Sequence, residues 1–168
     1  MSDILYQGHG WDIRMDEGRT KDGRVVTRAR AHICDTVHIV ASPKPGHVFL
    51  LKEWRPYYQK HVWMIPSGKM DKEKDPAVAA QRELQEETGC RAGVLKPFVT
   101  VRHAEHIDYV CHIYTATDLV PDPLNQDDDE SIELHEIALG DAIDLVLQSD
   151  PIHTVTALAL LRYQREYS

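Results

Sequence analysis

Cysteine is scarce in this chain of 168 residues: Cys34, Cys90 and Cys111 are the only three, odd in number, far apart and without a CxxC pair. That excludes a disulfide framework, gives no zinc-ligand spacing, and predicts reduced thiols in a cytoplasmic protein. Long apolar runs are also lacking, since no stretch approaches the roughly 20 residues that a membrane-spanning helix needs. The opening MSDILYQGHGWD has no basic-then-apolar leader, so neither export nor membrane insertion is expected. Positive charge is short as well: 19 Lys plus Arg against 27 Asp plus Glu leave a net charge of −8. Such a balance disfavours binding to a nucleic-acid backbone by counterion release. An anionic small molecule stays open, provided a local side chain or metal cation offsets the field. Repeats, linkers and low-complexity tracts are absent too.

What is present suits a globular protein, with 42% apolar and 27% charged residues. A mass of 19.2 kDa gives room for one core, and residues 1–168 are taken as a single domain. The first third reads as strands and turns. ILYQGHGWDIRM and RVVTRARAHI flank Lys21-Asp22-Gly23, a hairpin signal. Thr36 to Ala41 (TVHIVA) and His47 to Leu51 (HVFLL), separated by SPKPG, are expected to form a second hairpin. A helix is predicted over AVAAQRELQEET, with Asp75 capping, Pro76 in the first turn and Gly89 ending it in the left-handed region. Val94 to Val101 and Tyr109 to Ala116 read as strands, and VPDPLNQDDDE from Val120 as a polar loop. Leu139 to Ser168 carries helical spacing broken at Asp150-Pro151, hence two helices. Strands, helix, strands and helices in this order predict a mixed sheet with helices packed on it.

The predicted central helix carries a costly cluster. Glu83 and Glu87 are spaced i, i+4, and Glu86 lies three residues after Glu83, so three carboxylates crowd one side of the last turns. Like charges at that spacing cost roughly 0.2–0.5 kcal/mol per pair, and an exposed anion opposes the macrodipole at the C-terminus by roughly another 0.3–1 kcal/mol. Arg82 precedes Glu86 by four residues and can partner it, whereas neither Glu83 nor Glu87 has a cation three or four positions before it. A solvated acidic face is the plain reading of such a run. The sharper one is a divalent-cation site, because Mg²⁺ takes one or two carboxylates together with water and phosphate oxygens.

The stretch GKMDKEKDPAVAAQRELQEETGC resembles the Nudix box, G-x5-E-x7-R-E-U-x-E-E-x-G-U with U a bulky apolar residue. Gly68, Arg82, Glu83, Leu84, Glu86, Glu87 and Gly89 fall in register, with Cys90 at the final U. One position departs: Lys74 stands where the pattern has its first Glu. That Glu supports the box arginine in the family, so Arg82 here is left to Glu86, Glu73 or Asp75. The resemblance implies an α/β (α+β) fold, an α/β/α sandwich with a central mixed sheet, N-terminal antiparallel strands and C-terminal helices. It implies Mg²⁺, or Mn²⁺ as a substitute, held by Glu83, Glu87, Glu86 and the Ser67 carbonyl, and hydrolysis of a nucleoside diphosphate linked to another group.

Beyond the box, LLKEWRPYYQKHVWMIPSGKMD resembles the Q-Y-R-P and E-x-P-A-G-K-x-D segments of the ADP-ribose and nucleotide-sugar pyrophosphatase branch. The resemblance places Arg55 on the substrate's phosphates or terminal sugar, against the plainer reading of a salt bridge to Glu53. DDDESIEL resembles the branch's acidic loop, where a glutamate acts as general base; Glu130 is the first candidate and Asp128 the second, with Asp127 and Asp129 read as solvated. A carboxylate on a loop suits a base that meets its water after substrate binds. Because VRHAEHIDYV lacks the proline turn of many ADP-ribose enzymes, the expected substrate widens from ADP-ribose to nucleotide sugars. A homodimer built through the N-terminal strands and the base-binding region is likewise implied by resemblance. His103 and His106, three apart without HExxH, are weak metal candidates. Trp11, Trp54 and Trp63 are candidates for stacking a base or for packing. From Asp127 to Glu136 six acids stand without Lys or Arg, which locates most of the negative charge in one loop and the strand after it.

Overall fold

The computed structural model describes residues 3–8, 10–103, 105–125 and 132–167. Along the chain run β1 (Asp3–Gly8), β2 (Trp11–Arg19), β3 (Val25–Ile33), β4 (Thr36–Ala41), β5 (His47–Arg55), β6 (Lys60–Met64) and β7 (Ser67–Lys69). Then follow α1 (Pro76–Thr88), β8 (Cys90–Arg102), β9 (Ile107–Asp108), β10 (Val110–Pro121), β11 (Ile132–Ala138), α2 (Leu139–Leu147) and α3 (Thr154–Tyr167).

The β7-β4-β10-β8 sheet is mixed: β4 and β10 run parallel, while β7 and β8 flank them antiparallel. Alternation along β4 decides the layers. Val37, Ile39 and Ala41 face one way and pack with Ala79, Ala80 and Leu84 of α1, whereas Val40 faces the other way into a cluster with Leu139, Val146 and Leu160 of α2 and α3. Both faces of β4 are therefore covered, which is why TVHIVA reads as a nearly continuous apolar run. This is the expected α/β/α arrangement. β1, β2 and β3 pair antiparallel at the N-terminus, the short β9 adds parallel to β3, and the Asp22-Gly23 turn joins β2 to β3 as predicted.

The expected second hairpin is not formed. β4 pairs with β7 and β10, while β5 belongs to a separate antiparallel sheet ordered β11-β5-β6. The prolines and Gly46, whose φ is 75°, let SPKPG carry the chain from one sheet to the other. Both partners of β4 lie far along the sequence, so local pattern could not reveal the pairing. β6 and β7 were not predicted, and β10 continues through Pro121 where a loop was expected from Val120.

The central helix starts and stops as its sequence dictates. Asp75 accepts a hydrogen bond from the Ala77 N–H, Pro76 occupies the first turn, and Gly89 adopts a left-handed φ of 69°. Its buried stripe comprises Ala79, Ala80, Glu83, Leu84, Glu87 and Thr88. Two glutamates thus share a core-facing stripe with apolar neighbours, and that sets the site.

Candidate active site

β7 is the partner that receives these glutamates. By pairing antiparallel to β4, with His38 opposite Ser67 and Val37 opposite Gly68, it lies alongside the last turns of α1. The Ser67 N–H donates to Glu87 Oε2 at 2.7 Å. Glu83 packs against Gly68 so closely that a Cβ on Gly68 would stand 1.9 Å from Glu83 Oε1. Only glycine leaves that space. Glu83 and Glu87 are 9% and 5% exposed, and burying two carboxylates this deeply is unfavourable unless cations or donors compensate them.

Arg82 supplies part of that compensation. Its Nε and Nη2 donate to the two oxygens of Glu73, at 2.8 and 3.1 Å, in a bidentate pair. Nη1 reaches Glu86 Oε2 at 2.6 Å and Glu83 Oε1 at 2.8 Å. Burial works against the charged guanidinium, but Glu73, Glu83 and Glu86 outweigh it and raise its pKa. Two expectations are resolved here. Of the three acids open to Arg82 in place of the residue at position 74, Glu73 and Glu86 are used. Glu83, which has no cation at helical spacing, nevertheless meets its chain neighbour, because the long guanidinium folds across the helix surface.

A cleft of about 510 Å³ opens over this group, and its wall includes Ser67, Gly68, Arg82, Glu83, Glu87 and Arg55. Glu86 is not part of that wall; its carboxylate lies toward Arg82 on the flank of α1. Arg55 makes the salt bridge of its plainer reading, Nη2 pairing with Glu53 at 2.8 Å and contacting Met64 Sδ at 3.2 Å, and its side chain also lines the cleft. Lys69 and Lys72 add further cations to the wall. Among the described residues, no three His, Cys, Asp or Glu side chains converge to enclose an ion by themselves. The donors are instead two buried carboxylates beside a backbone strand, all hard oxygens. That set fits a cation completing its shell with water and phosphate, as Mg²⁺ does.

Glu130 and Asp128, with Asp127 and Asp129, lie outside the described residues. The acids that follow are described, and they do not gather over the cleft: Glu133 pairs with Lys52 at 3.3 Å and Glu136 with Lys44 at 2.5 Å, across exposed surface of the β5–β11 sheet. These partners lower both carboxyl pKa values. The −6 window is therefore partly a neutralised strand edge.

Sequence reasoning missed several cleft residues. His38 is 6% exposed, and its Nδ1 has no hydrogen-bond partner among the described residues. Burial, with His153 and His103 nearby, pushes its pKa down to about 3. His153 is brought to about 4 by burial, Arg55 and His103, so both imidazoles are neutral at pH 7. A histidine inside the apolar strand TVHIVA was a readable signal; His153, after a proline in a connection, offered none. Tyr109 also lines the cleft and stacks on His103 with ring centroids 4.7 Å apart. His103 contacts Cys111 Sγ at 3.4 Å. None of the three tryptophans enters the cleft wall: Trp63 packs on the α2–α3 core and against His135, Trp54 sits edge-on to His61, and Trp11 is exposed on β2.

A NUDIX domain matches residues 33–156, most of the chain and all of this site's described residues. The chain belongs to the Nudix family. An ADP-ribose pyrophosphatase of Bacillus subtilis is 26% identical over 159 residues, covering 93% of this chain and 86% of that protein. An ADP-ribose pyrophosphatase of Mycobacterium tuberculosis is 27% identical over 164 residues, covering 95% and 79%. The crystal structure of an ADP compounds hydrolase superposes with a TM-score of 0.82 at 20% identity, covering 99% of this chain and 91% of that one. The last likeness concerns the Nudix fold alone.

Proposed function

We propose that this Nudix protein hydrolyses the pyrophosphate of a nucleoside diphosphate linked to a sugar, ADP-ribose or a related nucleotide sugar, to a nucleoside monophosphate and a sugar phosphate. The observation that carries the reading is the pair of buried carboxylates, Glu83 and Glu87, set against Ser67 and Gly68 in a cleft that also presents Arg55. Glu83, Glu87 and the Ser67 carbonyl hold Mg²⁺, or Mn²⁺ in its place, and Glu86 serves as a further ligand or holds a water. When bound, the cation supplies charge neutralisation on the pyrophosphate and a more acidic water.

The chain's own residues do the rest. Arg82 holds Glu83 and Glu86 in place while anchored on Glu73, which fixes the carboxylates before substrate arrives. Arg55 binds phosphate oxygens, and Lys69 and Lys72 raise the local potential of a chain that is acidic overall. Glu130 takes the proton of the attacking water, and the bridging P–O bond breaks. The protein acts as one domain over residues 1–168, as a cytoplasmic homodimer with no nucleic-acid or membrane partner. No described helix is long and apolar enough to cross a membrane.

The test is product release from a panel of nucleotide sugars and dinucleoside polyphosphates with and without Mg²⁺. Glu87→Gln should lower kcat by about 100-fold or more, the order seen when a group that stabilises the transition state is lost. Glu130→Gln should lower turnover far more than Asp127→Asn. Equal activity of wild type and Glu87→Gln sinks the metal assignment; turnover confined to dinucleoside polyphosphates moves the substrate class. No turnover with any substrate leaves a nucleotide-binding module.

A further inference from the structure

His153 and Arg55 stand together in the walls of two cavities, the carboxylate cleft and a neighbouring space of about 430 Å³ lined by the β5–β6 turn. His153 immediately precedes α3. Its carbonyl accepts the Ala157 N–H at 3.0 Å, which makes it the cap of a helix of 14 residues and leaves the N–H groups of Thr154, Val155 and Thr156 outside the helical ladder. Val155 lines the cleft as well, so the first turn of α3 borders the same space.

Hydrogen bonding fixes where the His153 ring carries its proton. Nδ1 lies 2.7 Å from Thr156 Oγ1, and that oxygen also accepts the Ile65 N–H at 3.1 Å. Thr156 is completely buried, and its hydroxyl has no other acceptor among the described residues. With a proton on Nδ1, both groups would be donors and the hydroxyl hydrogen would be buried without a partner, which is costly. Thr156 therefore donates to Nδ1, and the ring proton sits on Nε2. Burial, Arg55 and His103 keep the ring uncharged at pH 7. With Nδ1 turned to the buried Thr156, the Nε2–H is presented on the opposite side of the ring, and it makes no bond among the described residues.

Arg55 brings further donors to this corner. Its Nη2 is taken by Glu53 and Met64, while Nε and Nη1 make no bond among the described residues. A guanidinium has no acceptor, and neither has His153 on its open side. A ligand that meets both must therefore offer acceptors. Phosphoryl oxygens do so without bringing protons of their own, whereas each hydroxyl of a sugar brings one that this pair cannot take. The positive end of α3 favours an anion as well. His38, with its ring centroid 5.8 Å from that of His153, is 6% exposed, lines the cleft and has no partner for Nδ1 among the described residues. It is a further polar group there without its full complement of bonds.

We infer that His153 binds the substrate: with Arg55 and the first turn of α3 it forms a seat for a phosphoryl group, and its Nε2–H donates to a phosphoryl oxygen of the pyrophosphate. The inference rests on the proposed function and adds to it a residue that holds phosphate without a charge of its own. Glu83 and Glu87 call for a cation, whereas an uncharged donor beside Arg55 holds an oxygen without repelling the guanidinium.

The experiment is calorimetric titration of the full chain, with Mg²⁺ present, by adenosine α,β-methylene diphosphate, a pyrophosphate analogue that resists cleavage at the bridge. His153→Asn keeps a side-chain oxygen for the Thr156 hydroxyl and has nothing at the Nε2 position. Its dissociation constant should rise about tenfold, the loss of one hydrogen bond to a charged group. His153→Gln, whose amide N–H reaches as far as Nε2, should recover most of that loss, and adenosine should not distinguish the variants from wild type. Proton–nitrogen NMR of the histidine side chains, with the variants identifying the signal, should show the wild-type ring protonated on Nε2 at pH 7. That N–H should shift when the analogue is added. Wild-type affinity in His153→Asn overturns the inference. So does an equal loss in His153→Gln or for adenosine, a ring protonated on Nδ1, an Nε2–H that the analogue leaves unmoved, or no binding of the analogue by wild type. Binding is read without turnover, so a protein that hydrolyses no nucleotide sugar can still show the contact. Conversely, hydrolysis of nucleotide sugars with unaltered analogue affinity in His153→Asn refutes the contact alone.

Discussion

Gly68→Ala probes the contact on which the site is built. The added Cβ would stand 1.9 Å from Glu83 Oε1 and 2.0 Å from its Cδ. Relief of the overlap requires the carboxyl group to retreat by about 1 Å or more, a displacement that in an active site can cost about 100-fold in rate. Gly68 has no positive φ, so alanine strains no backbone and the effect isolates the side-chain clash. Glu83 is also one of the three carboxylates on Arg82, so its displacement disturbs that ion-pair group, and overpacking of this kind costs about 1–3 kcal/mol. The expected outcome is a fall in kcat by about 100-fold with a loss of about 1–3 kcal/mol in denaturant-derived stability. Gly140→Ala is the control: nothing lies within 4 Å of its Cβ, φ is not positive and the residue opens α2, so stability should hold or rise by up to about 1 kcal/mol. Wild-type kcat and stability for Gly68→Ala would refute the claim that Glu83 is positioned by the absence of a side chain at residue 68.

Further outcomes follow from the same geometry. Glu73→Gln should destabilise by about 1–3 kcal/mol by breaking the charge-assisted bidentate pair with Arg82, whereas exposed Lys74→Ala should stay within about 0.5 kcal/mol; chemical denaturation of both variants decides whether Glu73 has taken over the supporting role. His38 and His153 have native pKa values of about 3 and about 4, below the roughly 6.5 of an unfolded histidine. Stability should therefore be flat above about pH 7 and fall below about pH 6.5, by up to about 1.4 kcal/mol per pH unit for each imidazole. A pH series of denaturation midpoints should show that slope, and His153→Asn should reduce it; a slope unchanged by the substitution would mean that other groups carry the acid response.

How much of the site could be read in advance depended on the distance over which its residues act. Within α1, Asp75, Pro76 and Gly89 dictate where the helix starts and stops through bonds spanning only a few residues. The spacing of Arg82, Glu83, Glu86 and Glu87 likewise follows from 3.6 residues per turn. A mixed sheet with helices packed on it was accessible from the order of the strand and helix patterns, whereas the α/β/α layering was implied by the resemblance to the family. The β4–β5 pairing was misjudged because a connection of five residues fits either a hairpin or a crossing between sheets, and the choice lies with β7 and β10, both distant in sequence.

The sequence by itself thus determined the central helix, the acid cluster on its last turns and the family to which the chain belongs, because all three rest on local spacing. Tertiary structure alone decided what that cluster faces. It set β7 against α1 so that Gly68 admits Glu83 and Ser67 meets Glu87, and turned Arg82 onto Glu73 in place of position 74. It also brought Arg55 and His153, 98 positions apart in number, to the junction of two cavities. Those contacts arise from strand pairing and layer packing between remote segments, where no repeat or spacing in the sequence records which surface will meet which.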